Sequence, residues 1–169
     1  MKEIILKVDK NDNVIGEIKR ERAHNGKGIL HRAFLVIVFN EKGKILLAKR
    51  SRFKRLWPGV WDGSVASHQR KNETLKKAVK RGLREEIGVE AKRIKHLLKF
   101  YYRNSFKDIG SEREICHVFK VKTKNQISPN KKEVSDLKWK SLKELQKDIK
   151  KSPQKYTPWF LIVYNQFFK

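Results

Sequence analysis

Strand signals outnumber helix signals along this chain, and that imbalance limits what it can fold into. Apolar alternation and β-branched runs predict strands near 3–8, 13–18, 33–40, 44–49, 95–103, 113–123 and 136–140. Glu41-Lys-Gly-Lys reads as the turn of a hairpin joining the third and fourth. Three stretches read as helices. One runs from about Glu73 to Ile87, with Asn72 as N-cap and Gly88 as its C-terminal stop. A second begins at Ser141, where Ser-Leu-Lys-Glu forms a capping box. A third starts at Thr157, with Pro158 at its first position, and carries Trp159, Phe160, Ile162, Val163 and Phe167. No repeat, low-complexity segment or linker breaks this pattern, so mixed strands and a few helices should form one α/β domain over residues 1–169.

A chain of 169 residues is large enough to bury most of the surface its unfolded form exposes. No apolar stretch approaches the length of a membrane span. The start, Met1-Lys-Glu-Ile-Ile-Leu-Lys, alternates and lacks a secretory apolar core. The single cysteine rules out an internal disulfide and fits a reducing cytosol, so a cytoplasmic monomer is expected. The net charge of +24 comes from 42 Lys plus Arg against 18 Asp plus Glu. Such a field attracts anions, from phosphorylated metabolites to nucleic acid and acidic membrane. The lysines are scattered rather than gathered with aromatics, so a solvated surface is the plainer reading and nucleic acid is not an expected partner.

Five residues have the chemistry of a metal cage: His24, His31, His68, Glu112 and Glu114. His24 and His31 precede the apolar run Phe34 to Phe39, and His68 closes the loop that starts at Trp57. Glu112 and Glu114 head an alternating stretch, and residues i and i+2 of a strand face the same way, so both carboxylates can reach one cation. Mixed nitrogen and oxygen donors suit Zn²⁺ or Mn²⁺. A second carboxylate of interest is Glu86. It falls inside the apolar stripe Leu75, Val79, Leu83 and Ile87 of the first helix, where a carboxylate is costly unless paired or bound to metal.

The surrounding segments carry a resemblance. His31-Arg-Ala-Phe, Phe39-Asn-Glu-Lys-Gly-Lys-Ile-Leu-Leu, Trp57-Pro-Gly-Val-Trp, Ser67-His68, Glu112-Arg-Glu-Ile-Cys and Tyr156-Thr-Pro-Trp-Phe together resemble type I isopentenyl-diphosphate isomerase, a branch of the Nudix superfamily. The similarity runs in order from about residue 2 to about 168, and all five cage positions match. It implies the Nudix fold, an α/β/α sandwich with a mixed β-sheet. It implies interconversion of isopentenyl and dimethylallyl diphosphate by protonation and deprotonation, with one Mn²⁺ or Zn²⁺ in the cage and Mg²⁺ on the substrate diphosphate. By the same resemblance Glu114 is the acid, assisted by Tyr102, Trp159 is the aromatic wall, and Arg20, Arg50 and Lys54, beside Ser67, grip the diphosphate.

Two departures accompany it. Where the superfamily box expects Gly, Glu, Arg-Glu-apolar and Glu-Glu, this chain has Ser67, Glu73, Arg81-Gly82-Leu83 and Glu85-Glu86. Glu86 matches the glutamate that the isomerase branch retains for Mg²⁺, while Glu85 is an extra, hydrolase-like carboxylate that is a possible metal ligand. The family's catalytic cysteine is Ala66 here, and Asp62-Gly63 stands where many isomerases carry Thr-Asn. Ala66 admits three explanations: an introduced Cys→Ala change, a thiol replaced by Ser67, Cys116 or a bound water, or a shift to metal-dependent hydrolysis of prenyl or nucleoside diphosphates. Cys116 itself reads as a small buried packing residue.

Overall fold

The computed structural model describes residues 3–168. A hairpin of β1 (Ile4–Val8) and β2 (Val14–Lys19) opens the chain, and a single helical turn, α1 (Arg20–Ala23), follows it. Next come the long β3 (His31–Phe39) and β4 (Ile45–Arg50), joined through the expected turn, where Asn40 and Lys44 pair and Gly43 adopts φ +71°. Two short strands, β5 (Trp61–Asp62) and β6 (Val65–His68), lead to α2 (Leu75–Ile87). A second hairpin, β7 (Ile94–Phe106) and β8 (Gly110–Lys122), precedes β9 (Val134–Lys140), α3 (Leu142–Lys151), a 3-10 turn at Pro153–Lys155 and α4 (Pro158–Phe167).

Strand β3 is the axis of the molecule. It pairs in parallel with β8 along its whole length and antiparallel with β6. Its side chains alternate between two cores, as the period of a strand requires. Phe34, Val36 and Val38 pack beneath α2 with Val79, Leu83 and Ile87. Leu35, Ile37 and Phe39 pack beneath α3 and α4 with Leu145, Ile149, Trp159 and Phe160. The result is the expected α/β/α sandwich on a mixed sheet.

Most expected elements are present, with their ends moved. Helix α2 begins two residues later than the sequence predicts, because Thr74, not Asn72, accepts the capping bond from the Lys77 amide. Asn72 instead occupies a left-handed turn at φ +62°. Gly88 ends the helix as expected, at φ +68°, with its amide on the Arg84 carbonyl. Ser141 and Glu144 form the capping box of α3. Strands β7 and β8 are longer than predicted, and Glu112 and Glu114 lie within β8 rather than at its edge. The short elements α1, β5, β6 and the 3-10 turn are not foreseen.

Candidate active site

Three strands and one helical turn bring the five cage residues together. Parallel register sets His31 beside Glu114, and antiparallel register sets Ala33 beside His68. His24 caps α1, and its carbonyl accepts the amide of Ser111 at the start of β8 (3.0 Å). That approach needs glycine at 110, since a Cβ there would collide with the His24 carbonyl oxygen. Arg81 of α2 donates to the His68 carbonyl (2.8 Å) and holds the loop histidine from behind. All five residues are buried, and one donor atom from each lies within 4.8 Å of the others.

The hydrogen bonds test whether these groups fit a metal. His24 donates Nδ1–H to the Arg20 carbonyl and His31 donates Nδ1–H to the Ile29 carbonyl, both at 2.7 Å. In a neutral ring this leaves Nε2 as a bare lone pair. Each meets a carboxylate: His24 Nε2 lies 2.8 Å from Glu112 Oε2, and His31 Nε2 lies 3.1 Å from Glu114 Oε1. His68 Nε2 approaches that same Oε1 at 3.0 Å. Acceptors this close need positive charge between them. Against burial, Glu112 draws a proton to His24, but burial and the neighbouring rings keep one off His68. Glu112 Oε2 is buried without an aligned hydrogen bond, and one Glu114 oxygen faces two rings. One divalent cation would answer all five donors, so the site can hold a metal.

The remaining oxygen of Glu114 accepts the Tyr102 hydroxyl at 2.5 Å. Burial pushes the Glu114 carboxyl up, but His31, Tyr102 and His24 outweigh it and hold the group below the usual carboxylate range. Burial and the Glu114 and Glu112 charges hold the Tyr102 phenol well above its usual range, so it keeps its proton. Burial, with Glu114 close by, does the same to the Cys116 thiol, in keeping with a packing role.

Around this pair is a chamber of about 30 Å³, lined by Ala66, Ser67, His68, Tyr102, Glu114, Cys116 and Trp159 among others. It adjoins an outer cleft of about 510 Å³ whose walls include Lys19, Arg20, Arg50, Lys54, Arg55 and Lys132. Arg20, Arg50 and Lys54 line both spaces, as a phosphate grip requires, yet each also has a protein partner. Arg20 pairs with Glu3 at 3.2 Å, and Lys54 pairs with Glu133. Arg50 donates to the carbonyls of Trp57 (3.0 Å) and Leu56 (2.8 Å) and lies 3.5 Å from Asp62.

Two glutamates stand apart from the cage. Glu86 lines a cavity of about 10 Å³ with Ala66, Lys54, Asp62 and Glu133. Burial pushes it up to about 7 against the pull of Lys54 and Arg50, with Glu133 adding to the rise. Glu85, the hydrolase-like carboxylate of the sequence reading, is not beside it. Its oxygens face outward and accept from Arg70 and Arg81 at 3.1 Å, so two arginines engage this possible metal ligand. Asp62 was recognised only as a departure in the loop. It is a buried acceptor for Gly63, Thr157 and Trp159, and partners 95 and 97 residues away leave no local signal.

A Nudix-domain family model matches residues 29–160. An isopentenyl-diphosphate Delta-isomerase 1 of Photorhabdus laumondii is 40% identical over 95% of this chain and 91% of its own length. An isopentenyl-diphosphate Delta-isomerase of Haloarcula marismortui is 36% identical over 94% and 87%. Among solved structures, DR0079 from Deinococcus radiodurans superimposes with a TM-score of 0.71 at 23% identity, covering 88% of this chain and 90% of that one. A MutT protein from Methanosarcina mazei does so at 0.62 and 21%, covering 82% and 92%, and at such identities these two matches speak to the fold. Sheet, cage and sequence agree: the chain belongs to the Nudix family, in its isopentenyl-diphosphate Delta-isomerase branch.

Proposed function

We propose that this protein, as one cytoplasmic, monomeric Nudix domain over residues 1–169, interconverts isopentenyl diphosphate and dimethylallyl diphosphate. The observation that carries the reading is the Tyr102–Glu114 pair, at 2.5 Å, at the wall of a buried chamber that Trp159 also lines. Moving the double bond needs a proton delivered to the terminal carbon and another removed from C2 on the opposite face. The intermediate resembles a tertiary cation and is favoured by a dry pocket and a π face.

The Tyr102–Glu114 pair shares one proton across its 2.5 Å hydrogen bond, and that pair is assigned the delivery of the proton to the terminal carbon. We assign the His24, His31, His68, Glu112 and Glu114 cage to Mn²⁺ or Zn²⁺, which when bound would supply positive charge that keeps the Glu114 carboxyl acidic. Glu86 is assigned to the Mg²⁺ that accompanies the diphosphate, and Arg20, Arg50, Lys54 and Ser67 to the diphosphate itself. The group that takes the C2 proton should approach from position 66, because β3 stands between β6 and β8 and so separates Ala66 from Glu114. Cys116 shares the face of Glu112 and Glu114 on β8, the wrong side for that task. Ala66 carries no proton acceptor, which leaves Ser67 or a water in that place.

The test is an incubation with isopentenyl diphosphate in Mg²⁺ and Mn²⁺, assayed for dimethylallyl diphosphate and for released phosphate. Isomer without phosphate is expected, and Ala66→Cys should raise its rate. Phosphate without isomer would replace this reading with diphosphate hydrolysis.

A further inference from the structure

A buried carboxylate with no place in the reaction above sits behind its aromatic wall. The Asp62 side chain is 4% exposed. Oδ1 accepts the Gly63 amide (2.7 Å), the Thr157 hydroxyl (3.0 Å) and the Trp159 indole N–H (3.0 Å). Oδ2 also lies 3.0 Å from the indole nitrogen and 3.5 Å from Arg50 Nη1. Burial pushes the Asp62 carboxyl up from its ordinary range, and Arg50, Gly63, Thr157 and Trp159 pull against it. Amide, indole and guanidinium nitrogens here can only donate, so the donors facing both oxygens favour the carboxylate form. Thr157 also donates its amide to the Trp61 carbonyl (2.9 Å), so the start of α4 is fastened to β5 at two points.

Asp62 therefore sets two chamber residues at once. The Arg50 guanidinium carbon lies 5.3 Å from the centre of the Trp159 ring, and both side chains line the chamber. An indole whose N–H points into a buried anion has electron density pushed onto its π face, which strengthens its attraction for a cation.

We propose that Asp62 is a positioning residue that locks Trp159 and Arg50 into one unit and charges the indole face for a cationic intermediate. The proposal rests on the isomerase reading, and it adds a residue outside the proton-transfer, metal and diphosphate sets. It also gives the Asp62-Gly63 departure in this loop a physical role, since a carboxylate there supplies negative charge that a neutral side chain would not.

The test compares two five-carbon-sized alkyl diphosphates by calorimetry in Mg²⁺. One carries a tertiary ammonium where the cation would form, and the other is its neutral isostere. Wild type should prefer the ammonium compound. Asp62→Asn, which keeps an acceptor for Gly63 and Thr157, should shrink that preference by roughly tenfold, the size of a desolvated cation–π contact. Affinity for the neutral compound should fall less than affinity for the ammonium compound, since Arg50 loses a partner in both cases while Arg20 and Lys54 are untouched. The Trp159 Nε1–H resonance should also move upfield as its anionic acceptor is lost. An unchanged preference in Asp62→Asn, or equal loss for both compounds, would overturn the proposal and leave Asp62 a fold-holding residue. If Asp62→Asn does not fold, Trp159→Phe, which keeps an aromatic ring and discards the donor, should shrink the preference as far, and a retained preference would overturn the idea. Absence of any preference in wild type would sink the isomerase reading itself, before a variant is made.

Discussion

Glu114 faces two imidazoles on one oxygen and a phenol on the other, so little else can occupy its place. Glu114→Gln is nearly isosteric but cannot carry the transferable proton. It should lower the isomerisation rate by about a thousandfold, within the range for lost general acid–base catalysis, with substrate KM changed far less. Steady-state kinetics on the folded variant check this, and a rate within tenfold of wild type would remove Glu114 from the proton path. Glu86 gives a different signal, in stability. Its unfolded carboxyl ionises at 4.5 and its folded one at about 7, so between those values the folded protein binds more protons. The stability this group contributes is fully present below pH 4.5 and is lost as pH rises through 7. The difference between wild type and Glu86→Gln, measured by urea unfolding in chelator at pH 4.5 and 8, should change by about 3 kcal/mol. Parallel pH curves for the two proteins would show that Glu86 ionises normally.

Among the elements, α2 depends on close contact with the sheet. A Cβ on Gly82 would lie 2.9 Å from Phe34 Cζ and 3.2 Å from Val65 Cγ1, both in the core beneath the helix. Gly82→Ala gains helix propensity of about 1 kcal/mol but forces Phe34 to move, at a typical overpacking cost of about 1–3 kcal/mol. A net loss of stability is expected in thermal unfolding, and a gain would mean the interface has room to spare. Long elements such as β3, β8 and α2 were legible because period and caps repeat the message over many residues. The elements α1, β5 and β6 span only two to four residues, too few for a period to show. The turn before α2 misled because Asn72 and Thr74 are both good caps, and only the backbone decides between them. The cage was legible from residue type and resemblance. Asp62 was not, because the partners that define it lie on α4 and its approach.

At the scale of the molecule, the cage joins α1, β3, β6 and β8, segments from well-separated parts of the chain. A cation bound only by the folded form adds stability by mass action, about 2.7 kcal/mol at a hundredfold excess over its dissociation constant. Chelation should thus lower the melting temperature by roughly 5–10 °C, and Mn²⁺ should restore it with a logarithmic dependence on concentration. Differential scanning calorimetry checks both, and a chelator-insensitive transition would argue against a bound metal. The charge of +24 should also draw the anionic diphosphate substrate inward, so added salt should raise its KM. The parallel alignment of β3 with β8 has a consequence in time. His31 and Glu114 lie 83 residues apart, and no hairpin can bring them together early. On the ribosome all three cage histidines must therefore wait, without a cage carboxylate, until β8 has emerged and the centre of the sheet has zipped closed. A metal held by this cage could be captured only at a late stage of synthesis, and a chain cut short before that strand would leave the ribosome empty-handed.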